Sequence, residues 1–249
     1  MKKLILSGAC GRMGRNIAEI AEAYGFEIAA GVDPQGKAYA DFPVYPSYRE
    51  ITEEAQVLID FSLPSALPLL AEYAARHHLP AVLCTTGYSQ ADEQQVLALS
   101  RQVPVFRSAN MSMGVHVLKT LAAQAQKLLP GFDIEIVEKH HNQKVDAPSG
   151  TALQLLDALR GEDTIAQYGR SPESGKRKPE EIGLHAVRGG TVAGEHEVGF
   201  YGSNEVLTIT HSAQNRAIFA AGALRAAGFL LDKPSGFYTM DDYMAQLNQ

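Results

Sequence analysis

Lys3-Leu4-Ile5-Leu6-Ser7-Gly8-Ala9-Cys10-Gly11-Arg12-Met13-Gly14 joins a short apolar strand to a helix through a turn that carries three glycines. Glycines at such a turn let the backbone bend tightly and approach a ligand closely. The free N–H groups and dipole of the helix that follows favour an anion such as a pyrophosphate. The G-x-x-G-x-x-G spacing is looser than G-x-G-x-x-G, so context has to support it. Asp33 supplies that context. It closes the second apolar run, about 20 residues on, where a carboxylate accepts hydrogen bonds from adenosine ribose hydroxyls.

Outward from this turn, strands and helices alternate. Lys3–Ser7, Glu27–Val32, Val57–Phe61, Ala81–Cys84 and Val103–Arg107 read as strands. Their near-continuous apolar character suits strands covered on both faces. Arg12–Tyr24, Pro64–His77 and Gln90–Arg101 have helical length and spacing, with Pro64 and Ser89 at suitable starts. Repeated β-α-β order predicts an α/β fold with a Rossmann-type parallel sheet. Two further loops fall at strand ends, Cys84-Thr85-Thr86-Gly87 and Ser108-Ala109-Asn110-Met111-Ser112. Their small and hydroxyl residues suit a nicotinamide site as well as ordinary turns.

The pattern changes after Asn110. Gly114–Leu129 reads as a helix and Phe132–His141 as a strand, with Ile134, Ile136 and Glu138 at a period of two. Gly150–Leu159 reads as another helix, and Gly161–Glu181 as an exposed loop. Glu195–Tyr201 and Glu205–His211, joined by Gly202-Ser203-Asn204, read as a hairpin. Arg216–Leu231 is a last long helix that returns to the first domain. The expected division is residues 1–109 with 216–249 as the dinucleotide-binding domain, and 110–215 as a smaller α+β domain for substrate binding and oligomerisation.

The chain has 249 residues, 45% hydrophobic and 20% charged, an ordinary globular balance. A net charge of -6 gives no reason to expect nucleic acid or an anionic membrane as partner. No apolar run approaches the roughly 18 residues needed to span a bilayer. The two cysteines, Cys10 and Cys84, lack metal-ligand spacing and suit a reducing, cytoplasmic compartment. They read as free thiols.

The densest chemical signal is Glu138-Lys139-His140-His141-Asn142-Gln143-Lys144-Val145-Asp146-Ala147-Pro148-Ser149-Gly150-Thr151-Ala152. Two histidines end a strand, and Lys144 lies four positions after the first. Ser149, Gly150 and Thr151 open a helix whose amide end suits a carboxylate. Histidine titrates near neutrality and can move a proton during reduction. Together these parts suit a small dicarboxylate. Helix capping by Ser149 with surface charge, or a metal on paired histidines, are the competing readings; no third metal ligand stands at recognisable spacing.

That run closely resembles the H-H-x-x-K-x-D-x-P-S-G-T-A signature of 4-hydroxy-tetrahydrodipicolinate reductases, also called dihydrodipicolinate reductases. Further matches lie in order along nearly the whole chain: Gly8 to Arg15, Asp60-Phe61-Ser62, Thr85-Thr86-Gly87, Ala109 to Ser112, Arg188-Gly189-Gly190 and Gly194-Glu195-His196. The resemblance implies reduction of a cyclic 4-hydroxy dicarboxylate to tetrahydrodipicolinate by NAD(P)H, with loss of water, in lysine biosynthesis through diaminopimelate. It implies His140 as proton donor or acceptor and Lys144 as a second proton donor. His141, Ser149, Gly150 and Thr151 fall at or beside substrate positions. Gly8, Ala9, Cys10, Gly11, Arg12, Met13, Asp33, Cys84, Thr85, Thr86, Ala109, Asn110, Met111 and Ser112 fall at cofactor contacts. A homotetramer built through the second domain is implied, and no metal.

Asp33 would repel a 2′-phosphate, so NADH is the expected cofactor, with NADPH accepted at most through Lys37 or Arg12. Cys10 and Cys84 stand where the family commonly has glycine, and thiol modification there is expected to crowd the cofactor. Met111 stands where an aromatic residue is frequent. Arg188 and Arg216 are secondary candidates for carboxylate contact, with surface or interface ion pairing the favoured role for each. His77 and His78 close a helix, and His116, His185, His196 and His211 are assigned to packing or an interface. An aspartate dehydrogenase on the same plan and a dinucleotide-binding protein without turnover are the alternatives, both disfavoured by the His140–Lys144 run.

Overall fold

The computed structural model describes residues 1–247. The chain divides into two compact units, Met1–Met111 together with the chain from Arg216 onward, and Ser112–Asn215.

In the first unit, seven strands among the described residues form one parallel sheet: β1 (Lys2–Ser7), β2 (Phe26–Val32), β3 (Val44–Tyr45), β4 (Val57–Asp60), β5 (Ala81–Leu83), β6 (Pro104–Arg107) and β12 (Gly236–Tyr238). Their order is β12-β6-β5-β4-β1-β2-β3, so the first six strands follow the 3-2-1-4-5-6 order of dinucleotide-binding sheets. Leu4, Ile5, Leu6, Leu58, Ile59 and Leu83 have no exposed surface, as strands covered on both faces require. Helices α1 (Arg12–Ile20), α2 (Leu67–Arg76), α3 (Gln90–Ser100), α6 (Ala217–Leu230) and α7 (Met240–Leu247) complete the unit. Helix α3 begins where expected because Ser89 and Asp92 form a reciprocal cap. Helix α6 packs on α1 and on the central strands. The short strands β3 and β12 and helix α7 were absent from the sequence reading. Two or three residues are too few to show a period.

The second unit is a mixed sheet of order β11-β10-β7-β9-β8. It is made of β7 (Asp133–His140), β8 (Ile165–Tyr168), β9 (Glu181–Arg188), β10 (Gly194–Tyr201) and β11 (Val206–Ala213). Strand β7 runs parallel to β9 and antiparallel to β10. Strands β10 and β11 form the expected hairpin, closed by Gly202 N–H donating to the Glu205 carbonyl at 2.9 Å. Helices α4 (Met113–Leu128) and α5 (Gly150–Leu159) cover one face, burying Leu118, Ala122, Leu155 and Leu159 against Ile134, Ile136, Leu184 and Phe200. The segment expected as an exposed loop, 161–181, contains β8 and a single 3-10 turn at Pro172–Ser174. Strand β8 is a half-exposed edge strand, so no buried alternation marked it in the sequence.

One register positions the chemistry. Along β7 the inward residues are Ile134, Ile136, Glu138 and His140, alternating with less buried neighbours. The first two join the apolar core. The next two carry charge and an imidazole onto the same buried face, at the carboxyl end of the strand.

Candidate active site

The glycine turn in the first unit is built for close approach. Gly8 has φ +73, and its N–H donates to the Val32 carbonyl at 2.8 Å. A Cβ there would stand 2.6 Å from the Phe61 carbonyl oxygen, so the space admits only glycine. Gly14 presses against the carbonyls of Gly8 and Ala9. Gly11 caps α1 without any side-chain hydrogen bond to the helix N–H groups. Asp33 accepts from Cys10 N–H and Gln35 N–H, both at 3.1 Å, so its carboxylate is fastened beside the turn with lone pairs to spare. Arg15 donates to the Cys10 carbonyl and lies 4.3 Å over the Tyr39 ring, whose hydroxyl donates to the Ala9 carbonyl. Turn, helix start and carboxylate fit a dinucleotide's pyrophosphate and ribose.

The other residues expected at the cofactor differ in what they can offer. Arg12 and Thr86 are exposed, Met13 is half-buried, and Ala109 and Asn110 lie at the surface end of β6. Thr85 is buried and its hydroxyl donates to Asp60 at 2.6 Å, while Ser62 donates to the same carboxylate at 2.5 Å. Met111 and Ser112 are both 2% exposed, and Ser112 caps α4 by accepting from Val115 N–H. Their side chains are therefore committed to the interior, and main-chain atoms are what these two positions offer a ligand. Cys84 is buried, and burial together with Asp60 pushes its thiol well above the usual range. Burial and the Asp33 charge also push the Cys10 thiol up.

In the second unit the histidine-lysine run folds into a connected polar network. Glu138 has no exposed surface. Its carboxylate takes both arms of Arg188 at 2.8 Å, the Ser149 N–H at 2.9 Å, and lies 2.5 Å from His140 Nδ1. Burial opposes the charge on Glu138, but the bonds from Arg188, His140 and Ser149 prevail and hold its carboxyl below the usual range. Burial lowers the His140 pKa despite the neighbouring carboxylate, with Lys144 and Arg188 adding to the effect. Ser149 caps α5 by accepting from Ala152 N–H, and its hydroxyl lies 3.0 Å from His196 Nε2. His196 is 4% exposed and burial lowers its pKa to about 4. Its ring meets that of His140 edge-on at 5.2 Å.

Lys144 donates to both oxygens of Asp146 at 2.8 Å, and Asp146 in turn offers its carbonyl to Arg188 at 2.7 Å. Gly150 is exposed at the start of α5, with Thr151 and His141 half-buried nearby in the chain. The structure links three of the residues expected at the site, His140, Lys144 and Ser149, through hydrogen bonds. The sequence reading missed the groups that tie them together. Arg188 is not a surface ion pair: it neutralises a fully buried carboxylate. His196 is not only packing, since it bonds the Ser149 cap. His185 does form a structural pair, 2.7 Å from Glu135. Among the described residues, no cluster of three or more His, Cys, Asp or Glu could hold a metal, and no helix is long and apolar enough to cross a membrane.

A dinucleotide-type α/β unit joined to a mixed-sheet unit with a buried histidine-carboxylate pair defines a two-unit reductase. Family models described as "Dihydrodipicolinate reductase, N-terminus" and "Dihydrodipicolinate reductase, C-terminus" match residues 2–111 and 114–244. The chain belongs to the dihydrodipicolinate reductase family. It is 52% identical over 246 residues to the 4-hydroxy-tetrahydrodipicolinate reductase of Caldanaerobacter subterraneus subsp. tengcongensis, covering 97% of this chain and 98% of that one. The corresponding enzyme of Clostridium tetani is 46% identical over 248 residues, covering 97% and 96%. A dipicolinate-bound dihydrodipicolinate reductase from Paenisporosarcina sp. TG-14 has the same fold, with TM-score 0.79 over 96% of this chain and 97% of that one, at 22% identity.

Proposed function

We propose that this protein reduces 4-hydroxy-tetrahydrodipicolinate to tetrahydrodipicolinate with loss of water, in the diaminopimelate route to lysine, and that NADH is its preferred donor. The observation that carries the chemistry is the joined set of His140, Lys144, Ser149 and the open start of α5. The dinucleotide supplies the hydride when bound. The protein's own groups bind the diacid and deliver the balancing proton.

Lys144 and the α5 amide end at Gly150 and Thr151, with His141, bind the carboxylates. A substrate carboxylate reaches Lys144 by displacing Asp146, whose side chain is 62% exposed and easily surrenders the pair. His140 handles the proton. In the free protein burial favours its neutral form. The arrival of two negative carboxylates favours the imidazolium, so substrate binding itself draws a proton onto the group that donates it. What supports the cofactor preference is Asp33, a carboxylate fastened beside the glycine turn at the end of the second strand, where negative charge would repel a 2′-phosphate.

The protein is assigned to the cytoplasm and to a homotetramer assembled through the second unit. What supports the assembly is β11, an edge strand that leaves Val206 and Leu207 exposed and needs cover. The deciding assay is NADH oxidation with substrate made in situ by dihydrodipicolinate synthase from pyruvate and aspartate semialdehyde. Turnover that requires the synthase is expected. Oxidation of L-aspartate instead, or NADH binding without consumption, would overturn the assignment.

A further inference from the structure

Glu138 occupies a place where hydrophobic side chains would be cheaper. Ile134 and Ile136, on the same face of β7, fill the equivalent layers with hydrocarbon. A carboxylate sealed in this position must be matched group by group. It is: Arg188 forks across both oxygens, the Ser149 N–H takes Oε1, and His140 Nδ1 faces Oε2. Because Arg188 already supplies the counter-charge, His140 need not be protonated to keep Glu138 ionised. An ionised carboxylate only accepts, so the nitrogen facing it must carry hydrogen. The other nitrogen, Nε2, is then the one that exchanges protons. It lies on the side of Gly194, where a Cβ would come within 3.0 Å of it. Glycine keeps the approach to Nε2 open.

We propose that Glu138, locked in place by Arg188, is a positioning residue for the reduction: it holds the His140 ring with hydrogen on Nδ1 and dedicates Nε2, kept accessible by Gly194, to the substrate's proton. This rests on His140 being the proton-handling group. The titratable and charged groups that bear on His140 are Glu138 on its own strand, Arg188 from β9, Lys144 with its partner Asp146 from the loop after β7, and His196 from β10. Of these only Glu138 contacts Nδ1 as an acceptor, so its removal changes both the tautomer and the proton affinity.

The test begins with the intact wild-type protein labelled with 15N-histidine. Long-range proton–nitrogen correlation at pH 7.5, assigned by the signals lost in His140→Gln, is expected to show a protonated Nδ1 and a bare Nε2. A bare Nδ1 overturns the proposal with no variant involved. Glu138→Gln is then expected to mix the two tautomers and lower kcat about 10-fold or more, with KM little changed. The alkaline limb of its kcat profile is expected to move to lower pH, because the carboxylate favours the imidazolium. Glu138→Asp retains the charge and is expected to keep the limb near its original place. A residue that only supports the fold would change stability and leave the limb unmoved, and that result in a folded Glu138→Gln also overturns the proposal. Full turnover in His140→Gln would instead refute the assignment of the proton to His140. An inactive His140→Gln beside a wild-type ring with hydrogen on Nε2 would refute the positioning role alone.

Discussion

His196 makes the protein's stability depend on acid in a way that can be isolated. Burial lowers its pKa from 6.5 to about 4, so the folded chain refuses a proton that the unfolded chain accepts. Above pH 6.5 both states are neutral at this site and the stability is intact. Below that, the unfolded state gains protons and stability falls, levelling off near pH 4. A separation of that size costs about 2 kcal/mol by pH 5 and about 3 kcal/mol by pH 4. At 4% exposure, solvent does little to soften the effect. His196→Asn keeps a partner for the Ser149 hydroxyl and removes the titration. Urea unfolding of both proteins, followed by circular dichroism at pH 7, 6 and 5, gives the difference between them. Carboxylates shared by the two cancel in that difference. The advantage of wild type over variant is expected to shrink by about 2 kcal/mol from pH 7 to pH 5. A difference that stays level, or an imidazole signal of His196 titrating near 6.5, would refute the reasoning.

His140→Ala should lower kcat by about two to four orders of magnitude, whereas Lys144→Ala should lower kcat and raise KM together; steady-state kinetics separates the two patterns. Asp33→Ser should shift the ratio of kcat/KM for NADH and NADPH toward NADPH, and an unchanged ratio would remove Asp33 from cofactor choice. Gly8→Ala places a Cβ against the Phe61 carbonyl at positive φ, so NADH affinity measured by fluorescence should fall while the second unit's unfolding stays as it was. Both thiols are pushed up, so a disulfide reagent at pH 7.5 should react slowly, Cys10 before the buried Cys84, with NADH protecting Cys10.

Much of the α/β unit was legible because its signals are local. The Gly8–Gly14 turn sits beside its own strand and helix, and Asp33 follows at a set distance. The His140–Lys144 run and Ser149 are likewise close in sequence. Arg188 and His196 were assigned elsewhere because nothing near them in the chain names their partner. It is register that does so: β9 sets Arg188 opposite His140, and β10 sets His196 opposite Glu138. Glu138 showed its inward period but not its countercharge. The Arg188-Gly189-Gly190 and Gly194-Glu195-His196 matches were the available signal, since a cation and a histidine beside glycines at strand ends suit a crowded site. Strand β8 escaped because a half-exposed edge strand has no apolar alternation to display.

The excursion of the chain through its second unit has a consequence for how the protein is made. Strand β12 completes the parallel sheet by pairing Gly236–Tyr238 with Pro104–Phe106, and α6 buries Ala220, Ala223, Leu224 and Leu230 in the same unit. Both follow the second unit in chain order. On the ribosome, the mixed-sheet unit therefore emerges whole while the nucleotide unit still has β6 paired to β5 alone, with its outer edge open, and a bare apolar flank. Until α6 and β12 have emerged, that open edge is the part of the nascent protein most in need of a chaperone.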